Sequence, residues 1–240
     1  MDWNKDSLAS FWIFFFCSVA NTVVQSSCPE MIVKREILNK GFHRNLITRL
    51  EIHDLAEDND CRIIFQESIP SGLFVDPYQL SSLQQHNLTE VLLLKAVDLE
   101  APEYLSTGFT ALVYANADPA CKHCFISTIP VHARYHRPSS KNYESSSILI
   151  SPRLLVHCSK EVFSKGCSPN SVTEAPCGSK GGSSCHWLDI NYTAVPKTVA
   201  LHTPVGITQH GPAVCSITLI TTLYCTGMIL QAVYRSSHLV

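Results

Sequence analysis

The sequence predicts a mostly β protein: a disulfide-bonded luminal β-sandwich followed by one C-terminal transmembrane helix. Three features support this fold class. The chain has a long uncharged apolar run near its end, many short strand-like runs separated by turn residues, and eleven cysteines in 240 residues. The formal net charge is -2 and no basic stripe or cluster stands out, so we expect no nucleic-acid partner.

The apolar run Ala213–Val233 contains no Asp, Glu, Lys, Arg or His. A helix of this length is about 30 Å long, which is enough to cross the hydrocarbon core of a bilayer. Pro212 suits a first helical turn, and Arg235 can lie at the headgroups on the cytosolic side. We therefore predict a transmembrane helix at 213–233 and a cytosolic tail at 234–240. The alternatives are a buried helix of a soluble domain and a cleaved lipid-anchor signal.

The N-terminal run Leu8–Ala20 is apolar and rich in aromatic residues, but it is too short for a comfortable membrane span. It suits the apolar region of a signal peptide, and the small residues near Ser26 offer a cleavage site. We predict a signal peptide at 1–26 and a luminal β-rich domain at 27–212, which gives a single-pass type I protein. An uncleaved signal anchor is the alternative.

Short apolar and β-branched runs separated by turn residues predict the strands of a sandwich. These runs are Met31–Leu38, Leu46–Ile52, Arg62–Gln66, Val91–Leu94, Ala111–Ala115, Phe125–His132, Ile148–Ile150, Arg153–His157 and Lys197–His202. One short helix is predicted at Asp76–Leu83, with Asp76 as its N-cap and Pro77 at its first position. The stretch Ser168–Asn191 is predicted to be a loop.

Eight cysteines lie between the two apolar ends, and an even set after a signal peptide indicates disulfides formed in an oxidising compartment. They are Cys28, Cys61, Cys121, Cys124, Cys158, Cys167, Cys177 and Cys185. Eight cysteines allow 105 connectivities, so their pairing stays open. A bridge between Cys177 and Cys185 would close a Gly/Ser-rich loop, although neighbours in sequence need not pair.

Cys121 and Cys124 form a CxxC motif, which could be a redox dithiol if a helix N-terminus stabilised one thiolate. Here the motif leads into the strand-like run FISTIPVH, which favours a structural bridge. Zinc is less well supported, because no second CxxC or paired histidine motif accompanies it. We expect no metal site.

Two sequons, Asn87-Leu88-Thr89 and Asn191-Tyr192-Thr193, predict N-glycosylation and therefore exposed asparagines at Asn87 and Asn191. The polar residues around Asn87 are typical of a surface loop. Both sites fit a luminal domain.

The densest polar and aromatic patch is Val131–Pro138. On a strand, His132, Arg134 and His136 would share one face and could bind a phosphate or carboxylate. The alternative is a solvated strand face that Pro138 ends. A metal site is disfavoured, because no acidic or cysteine ligand lies at a matching spacing.

Within the apolar run, small and hydroxylated residues fall on one helical face. They are Cys215, Thr218, Thr221, Thr222, Cys225 and Thr226. Such residues allow close helix–helix approach in lipid, so this stripe is a candidate partner-facing surface. The alternative is that the threonines bond only to their own helix backbone.

No Walker loop, HExxH, GxSxG or GxGxxG motif is present, and we expect neither a cofactor nor catalytic residues. The triplet Asp58–Asp60 resembles, by letters alone, the acidic triplet of metal-dependent glycosyltransferases. With Glu57 it is better interpreted as a solvated acidic turn.

Five stretches resemble the phosphatidylinositol-glycan biosynthesis class X family. They are Gly41–Arg44, Ile69–Leu80, Glu100–Ser106, Pro130–Ser139 and Pro204–Thr208. The blocks GLFVDPYQL and VHARYHRPS are the most specific. The similarity runs from about Cys28 through the terminal span, while the signal region shows none.

The resemblance implies a type I protein of the endoplasmic reticulum membrane. It implies a non-catalytic, stabilising subunit of glycosylphosphatidylinositol (GPI) mannosyltransferase I, whose catalyst is the multispanning class M protein. That complex moves the first mannose from dolichol-phosphate-mannose onto the glucosaminyl-phosphatidylinositol intermediate. The family supplies no catalytic residues to assign here.

Two other functions fit a glycosylated, disulfide-bonded type I chain. The first is a cell-surface receptor or adhesion ectodomain, although no tryptophan lies between Cys61 and Cys121 as an immunoglobulin domain would require. The second is a luminal thiol oxidoreductase that uses Cys121 and Cys124. Steady-state location separates the receptor from the subunit, and alkylation of native protein tests the oxidoreductase.

Overall fold

The computed structural model describes residues 28–53, 61–158 and 168–237. The predicted signal peptide, the triplet Asp58–Asp60 and Cys167 lie outside these residues.

The described residues form thirteen strands and two α-helices. The strands are β1 Met31–Leu38, β2 His43–Ile52, β3 Cys61–Ile69, β4 Leu73–Phe74, β5 Glu90–Leu93, β6 Phe109–Ala117, β7 Cys124–Ala133, β8 Glu144–Ile150, β9 Arg153–Cys158, β10 Ser171–Pro176, β11 Ser184–Ile190, β12 Thr193–Val195 and β13 Thr198–Pro204. The helices are α1 Pro77–Gln85 and α2 Gly211–Ser237, with 3₁₀ turns at Glu103–Leu105 and Thr208–His210.

The strands form one long sheet in the order β10-β11-β9-β3-β6-β7-β2-β1-β12, with β4 paired to β7 and β5 to β6. Strand β6 joins its two halves, because residues 109–115 pair with β3 and Asn116–Ala117 pair with β7. Strands β8 and β13 form a separate antiparallel pair. The two halves of the sheet face each other as a β-sandwich, so the mostly β prediction is confirmed.

The main core lies between the two halves and is built from alternate residues of their strands, as the period of two requires. Its fully buried side chains include Leu46, Leu50, Phe65, Ile129 and Leu154. A second cluster around Trp187 and Tyr114 covers the opposite face of β3, β6 and β9. The sandwich therefore has one central core and one smaller outer core.

A buried ion pair crosses the central core. Arg35 of β1 donates from Nη2 to Glu67 Oε2 of β3 at 2.7 Å, and both side chains are at most 1% exposed. Arg35 Nη1 also donates to the Ile150 carbonyl, and Thr48 Oγ1 lies 3.5 Å from Glu67 Oε1. Burial raises the pKa of Glu67 to about 7, although Arg35 acts to lower it. The ion pair therefore joins β1 in one half of the sandwich to β3 in the other half. The bond from Arg35 to Ile150 also attaches β8 at this point.

Three disulfides join described cysteines: Cys61–Cys158, Cys121–Cys124 and Cys177–Cys185. Cys28 is also disulfide-bonded. Cys61 and Cys158 are directly opposed residues of β3 and β9. The CxxC motif leads directly into β7, which begins at Cys124, and the structural role of its bonded cysteines stays a prediction.

Every predicted strand run overlaps an observed strand, although Leu94 and Lys197 lie just outside β5 and β13. The short helix is confirmed, since α1 follows Asp76, whose Oδ1 accepts a bond from Tyr78 N at 2.8 Å. The prediction that Ser168–Asn191 is a loop was wrong, because β10 and β11 form a hairpin there. Their sequences lack a clear alternation, and burial of Trp187 and Ala175 against β3, β6 and β9 stabilises them instead.

Helix α2 begins two residues before the predicted span and continues to Ser237, so the first residues of the predicted tail are helical. It is long and apolar enough to cross a membrane. Its side chains at 212–236 are exposed in the isolated chain. An apolar helix with no protein cover requires lipid or a partner helix around it.

Candidate membrane-proximal interaction site

The end of the sandwich next to α2 includes loop 134–143, which contains most of the block VHARYHRPS. Strand β13 ends at Pro204, and residues 205–210 alone connect it to α2. The loop 134–143 is bonded to this connection. Ser139 N donates to the Gly206 carbonyl at 2.9 Å, and the Ser139 carbonyl accepts from Thr208 N at 3.2 Å. Loop 134–143 is therefore held beside the first turn of the apolar helix.

His132, the first residue of the predicted patch, organises the base of this loop. Its Nε2 lies 2.8 Å from Gln79 Oε1 of α1, and its Nδ1 lies 2.5 Å from His43 Nδ1 of β2. Its ring stacks on Phe74, with centroids 5.0 Å apart. If Nε2 carries the proton for Gln79, Nδ1 is free to accept from His43. Burial and the neighbouring His43 lower the pKa of His132.

Arg134 and His136 hold the next turn of the chain. Arg134 is 3% exposed, donates from Nη1 to the Ala101 carbonyl at 2.6 Å and lies over the Phe74 ring. His136 Nδ1 lies 3.1 Å from Ser145 Oγ and 3.7 Å from Glu103 Oε2. These two residues therefore join loop 134–143 to the 3₁₀ turn at Glu103 and to β8.

The structure corrects the prediction that His132, Arg134 and His136 share one strand face. Strand β7 ends at Ala133, so Arg134 and His136 lie beyond it. The solvated alternative was also wrong for this trio, because their side chains are largely buried. A sequence pattern gives the residue types, but the packing of α1, β4 and the 3₁₀ turn over them is a tertiary effect. The trio supports the loops instead of forming an open anion site.

Acidification is expected to loosen these loops through His132. The pKa of His132 in the folded state is lowered from 6.5, its ordinary value in the unfolded state. As the pH falls below 6.5, the unfolded state therefore binds a proton before the folded state does, and local stability is lost. The added proton on Nδ1 would also oppose His43. Amide exchange at Arg134 and Ser139, corrected for intrinsic rates, should therefore speed up between pH 7 and pH 5.5.

The His132→Gln variant is the control for this measurement, because a glutamine does not titrate. It should show the same corrected exchange at both pH values. Local exchange is needed here since the raised pKa of Glu67 acts on global stability with the opposite sign. An acid-dependent change that persisted in His132→Gln would contradict the assignment to His132.

The two sequon asparagines lie on the domain surface. Asn87 is exposed after α1, with φ 54°, and Thr89 Oγ1 donates to the Thr128 carbonyl at 2.7 Å. Asn191 is exposed after β11 and exchanges two 2.9 Å side-chain bonds with Asn170. A glycan on Asn191 would replace the bond that its Nδ2 donates to Asn170, and glycosylation at both positions stays a prediction.

The predicted stripe on α2 has a specific geometry. Thr218, Thr221 and Thr222 each donate from Oγ1 at 2.8 Å to the carbonyl four residues before. Their hydroxyls are thus bonded to their own helix, as the alternative expected. Cys215 and Cys225 on the same face are free and exposed. The stripe presents small side chains, and the hydroxyls of Thr218, Thr221 and Thr222 are already bonded within the helix, so close packing is the main contact that these three could offer a partner helix.

Within the residues that the structure describes, no group of three or more His, Cys, Asp or Glu side chains converges as metal ligands do. Sequence reasoning missed the exposed aromatic residues Tyr104, on the 3₁₀ turn Glu103–Leu105, and Tyr143, at the end of loop 134–143. They are distant from each other in sequence, and only the folded loops bring them to one end of the domain.

Comparison with known proteins places these features in a family. A family model described as PIG-X / PBN1 matches residues 39–234, which include the sandwich from β2 onward, the loops and most of α2. The stabilizing subunit of GPI alpha-1,4-mannosyltransferase I of Rattus norvegicus is 41% identical over 217 residues, covering 90% of this chain and 86% of that protein. The same subunit of Homo sapiens is 39% identical over 226 residues, covering 93% and 88%. Protein pbn1 of Schizosaccharomyces pombe is 30% identical over 129 residues, covering 50% and 39%. By the length of this match, the chain belongs to the PIG-X/PBN1 family.

Proposed function

We propose that this chain is the non-catalytic stabilising subunit of GPI mannosyltransferase I in the endoplasmic reticulum membrane. The partner is the multispanning class M protein, which transfers the first mannose from dolichol-phosphate-mannose to the glucosaminyl-phosphatidylinositol intermediate. The observation that carries the proposal is the match of about nine tenths of this chain to mammalian subunits named for this role.

The architecture supports an accessory role. Donor and acceptor of this reaction are both lipids, so a catalyst needs charged groups at the membrane face between several spans. Helix α2 has no charged residue from Gly211 to Tyr234. A rigid sandwich on an uncharged helix is suited to holding a partner, and a partner that binds only the folded chain stabilises it by mass action.

The α2 stripe, defined by the six residues named above, is the surface that we propose to contact the partner's helices. Replacing Thr218 and Thr222 together by Leu should weaken the complex, because larger side chains prevent close helix approach. We expect a loss of about 1–3 kcal/mol of association free energy from overpacking, seen as reduced co-purification in mild detergent.

The matched control is Gly227→Leu, which adds the same side chain to the opposite helix face. A Cβ at Gly227 meets no atom within 4 Å. It should leave co-purification unchanged. Equal loss in both variants, or no loss in either, would show that the stripe is not the partner surface.

Glycosylation gives a test of topology. With the domain in the lumen, the single variants Asn87→Gln and Asn191→Gln should each remove one glycan, and the double variant should remove both. Gel mobility after enzymatic deglycosylation measures this. Glycans that keep the high-mannose form would fit residence in the endoplasmic reticulum, whereas processed glycans would favour the cell-surface receptor.

The decisive experiment removes this protein from cells and measures both the abundance of the multispanning partner and mannosyl transfer in isolated membranes. We expect both to fall and to return when the protein is supplied again. Unchanged partner abundance and unchanged transfer would overturn the proposal. Loss of transfer with full partner abundance would replace the stabilising role with a direct part in the reaction.

A further inference from the structure

We propose that the loop end of the sandwich docks on the phospholipid headgroups of the membrane that α2 spans. The docking surface consists of the exposed side chains Tyr104, Leu105, Tyr135, Arg137, Lys141 and Tyr143. The inference rests on α2 spanning a membrane, as the proposed function also does, but not on the identity of any partner protein.

The short connection between β13 and α2 keeps this surface close to the bilayer. Loop 134–143 is bonded to Gly206 and Thr208, and α2 begins three residues after Thr208. Tyr143 adds a third link, because its carbonyl accepts from Val205 N at 2.9 Å. The apolar span starts at Ala213, so residues bonded to Thr208 lie within reach of the headgroups once α2 is inserted.

The loops that carry the surface are cross-linked to one another. The Tyr135 carbonyl accepts from Glu103 N at 2.9 Å, and the Tyr135 ring lies 5.3 Å from the Phe42 ring. Ser139 Oγ accepts from Lys141 N and Asn142 N. The surface is therefore held in shape before it meets a membrane, which lowers the entropy cost of docking.

The exposed side chains have the chemistry of the bilayer interface. Tyr135, Tyr143 and Leu105 are each more than 70% exposed, and they lie on neighbouring loops, so they form a cluster of large exposed side chains. Tyrosine rings favour the headgroup region, where one end of the ring is apolar and the other is hydrated.

Arg137 and Lys141 supply donors for lipid phosphates. The Arg137 guanidinium carbon lies 4.3 Å from the centroid of the Tyr104 ring, so this cation is held among the aromatic residues. Exposed lysine is depleted in protein–protein interfaces. Lys141 among the tyrosines therefore favours a lipid surface over a protein partner. The neighbouring carboxylates are Glu103, which precedes Tyr104 and lies 3.7 Å from His136 Nδ1, and Glu144, which follows Tyr143.

The test uses the full chain, purified alone and reconstituted in vesicles of phosphatidylcholine and phosphatidylinositol. Tyr143→Trp places a reporter on the docking surface, and Val172→Trp places one at a comparably exposed site on β10, away from the loops. Tyr224→Trp reports on the middle of α2. Lipids brominated near the headgroup quench reporters at the interface, and lipids brominated deep in the chain quench reporters in the core.

We expect headgroup-brominated lipid to remove most of the added emission of Tyr143→Trp and little of that of Val172→Trp. Deep-brominated lipid should quench Tyr224→Trp, which shows that α2 is inserted. If Tyr224→Trp is quenched but Tyr143→Trp behaves like Val172→Trp, the docking proposal is wrong and the spanning helix stands. If Tyr224→Trp is not quenched, the membrane span fails, and the docking proposal fails with it.

Charge reversal separates docking from mere proximity. In the Tyr143→Trp chain, Arg137→Glu with Lys141→Glu should lose most of the headgroup quenching. The matched change Lys180→Glu, on the Gly/Ser loop between β10 and β11, should not. If the double reversal leaves quenching unchanged, or if Tyr143→Trp is shielded only when the catalytic partner is present, the surface does not bind lipid headgroups.

Discussion

Replacing Arg35 by Met is expected to destabilise the β-sandwich by about 3–5 kcal/mol at pH 8, because it leaves the Glu67 carboxylate buried without its cation. Both partners are at most 1% exposed, and their Nη2–Oε2 distance is 2.7 Å. The same change removes the donor to the Ile150 carbonyl. The free energy of unfolding, followed by the fluorescence of buried Trp187, measures the loss.

The control is Lys34→Met, one residue earlier on the same strand. Lys34 pairs with Glu51 at 2.7 Å, but its side chain is 52% exposed. A pair in water contributes about 0–1 kcal/mol, so this change should be nearly silent. If Arg35→Met does not fold, the double variant Arg35→Met/Glu67→Leu should, since an apolar pair of similar volume needs no partner. Equal effects of Lys34→Met and Arg35→Met would contradict the argument.

The same pair gives a pH dependence with a fixed sign. The pKa of Glu67 is raised from 4.5 to about 7, so between these values the folded state holds a proton that the unfolded state has released. Stability from this group is therefore complete below pH 4.5 and is lost as pH rises to about 7. The slope is at most about 1.4 kcal/mol per pH unit, and Glu67→Gln should abolish it.

Removing the Cys61–Cys158 disulfide by a double Ala substitution is expected to cost about 4–5 kcal/mol. The bond closes a loop with a sequence separation of 97 residues, so its loss returns much freedom to the unfolded chain. It also joins β3 to β9 in the middle of the long sheet. Thermal unfolding of the detergent-solubilised chain should shift strongly downwards.

The matched control is the double Ala variant of Cys177 and Cys185, which opens a loop with a separation of 8 residues. The loop-closure argument gives about 2–3 kcal/mol for it. Partner abundance in cells should follow the same order, because a chain that is more often unfolded is degraded faster and protects less. A larger effect from the short loop would contradict an account based on loop length.

Some features of this protein follow from local sequence alone. The uncharged run at 213–233 predicts a spanning helix, because a segment that crosses a bilayer needs only sufficient length and sufficient apolar character. The alternating runs predict strands, and Asp76 with Pro77 predicts the start of α1, since both are short-range effects. The family resemblance was equally local, because it rests on continuous blocks such as GLFVDPYQL.

The tertiary structure decided the rest, for one physical reason: burial depends on what packs over a residue. His132, Arg134 and His136 have the composition of an open anion site, yet α1, β4 and the 3₁₀ turn cover them. The sequence of β10 and β11 predicted a loop, because their strand structure depends on the packing of Trp187 against the outer face of the sheet. The hydrophobic period of a strand does not show which strands will face each other. It therefore could not predict that Arg35 pairs with Glu67, or that Tyr104 and Tyr143 lie at the same end of the domain.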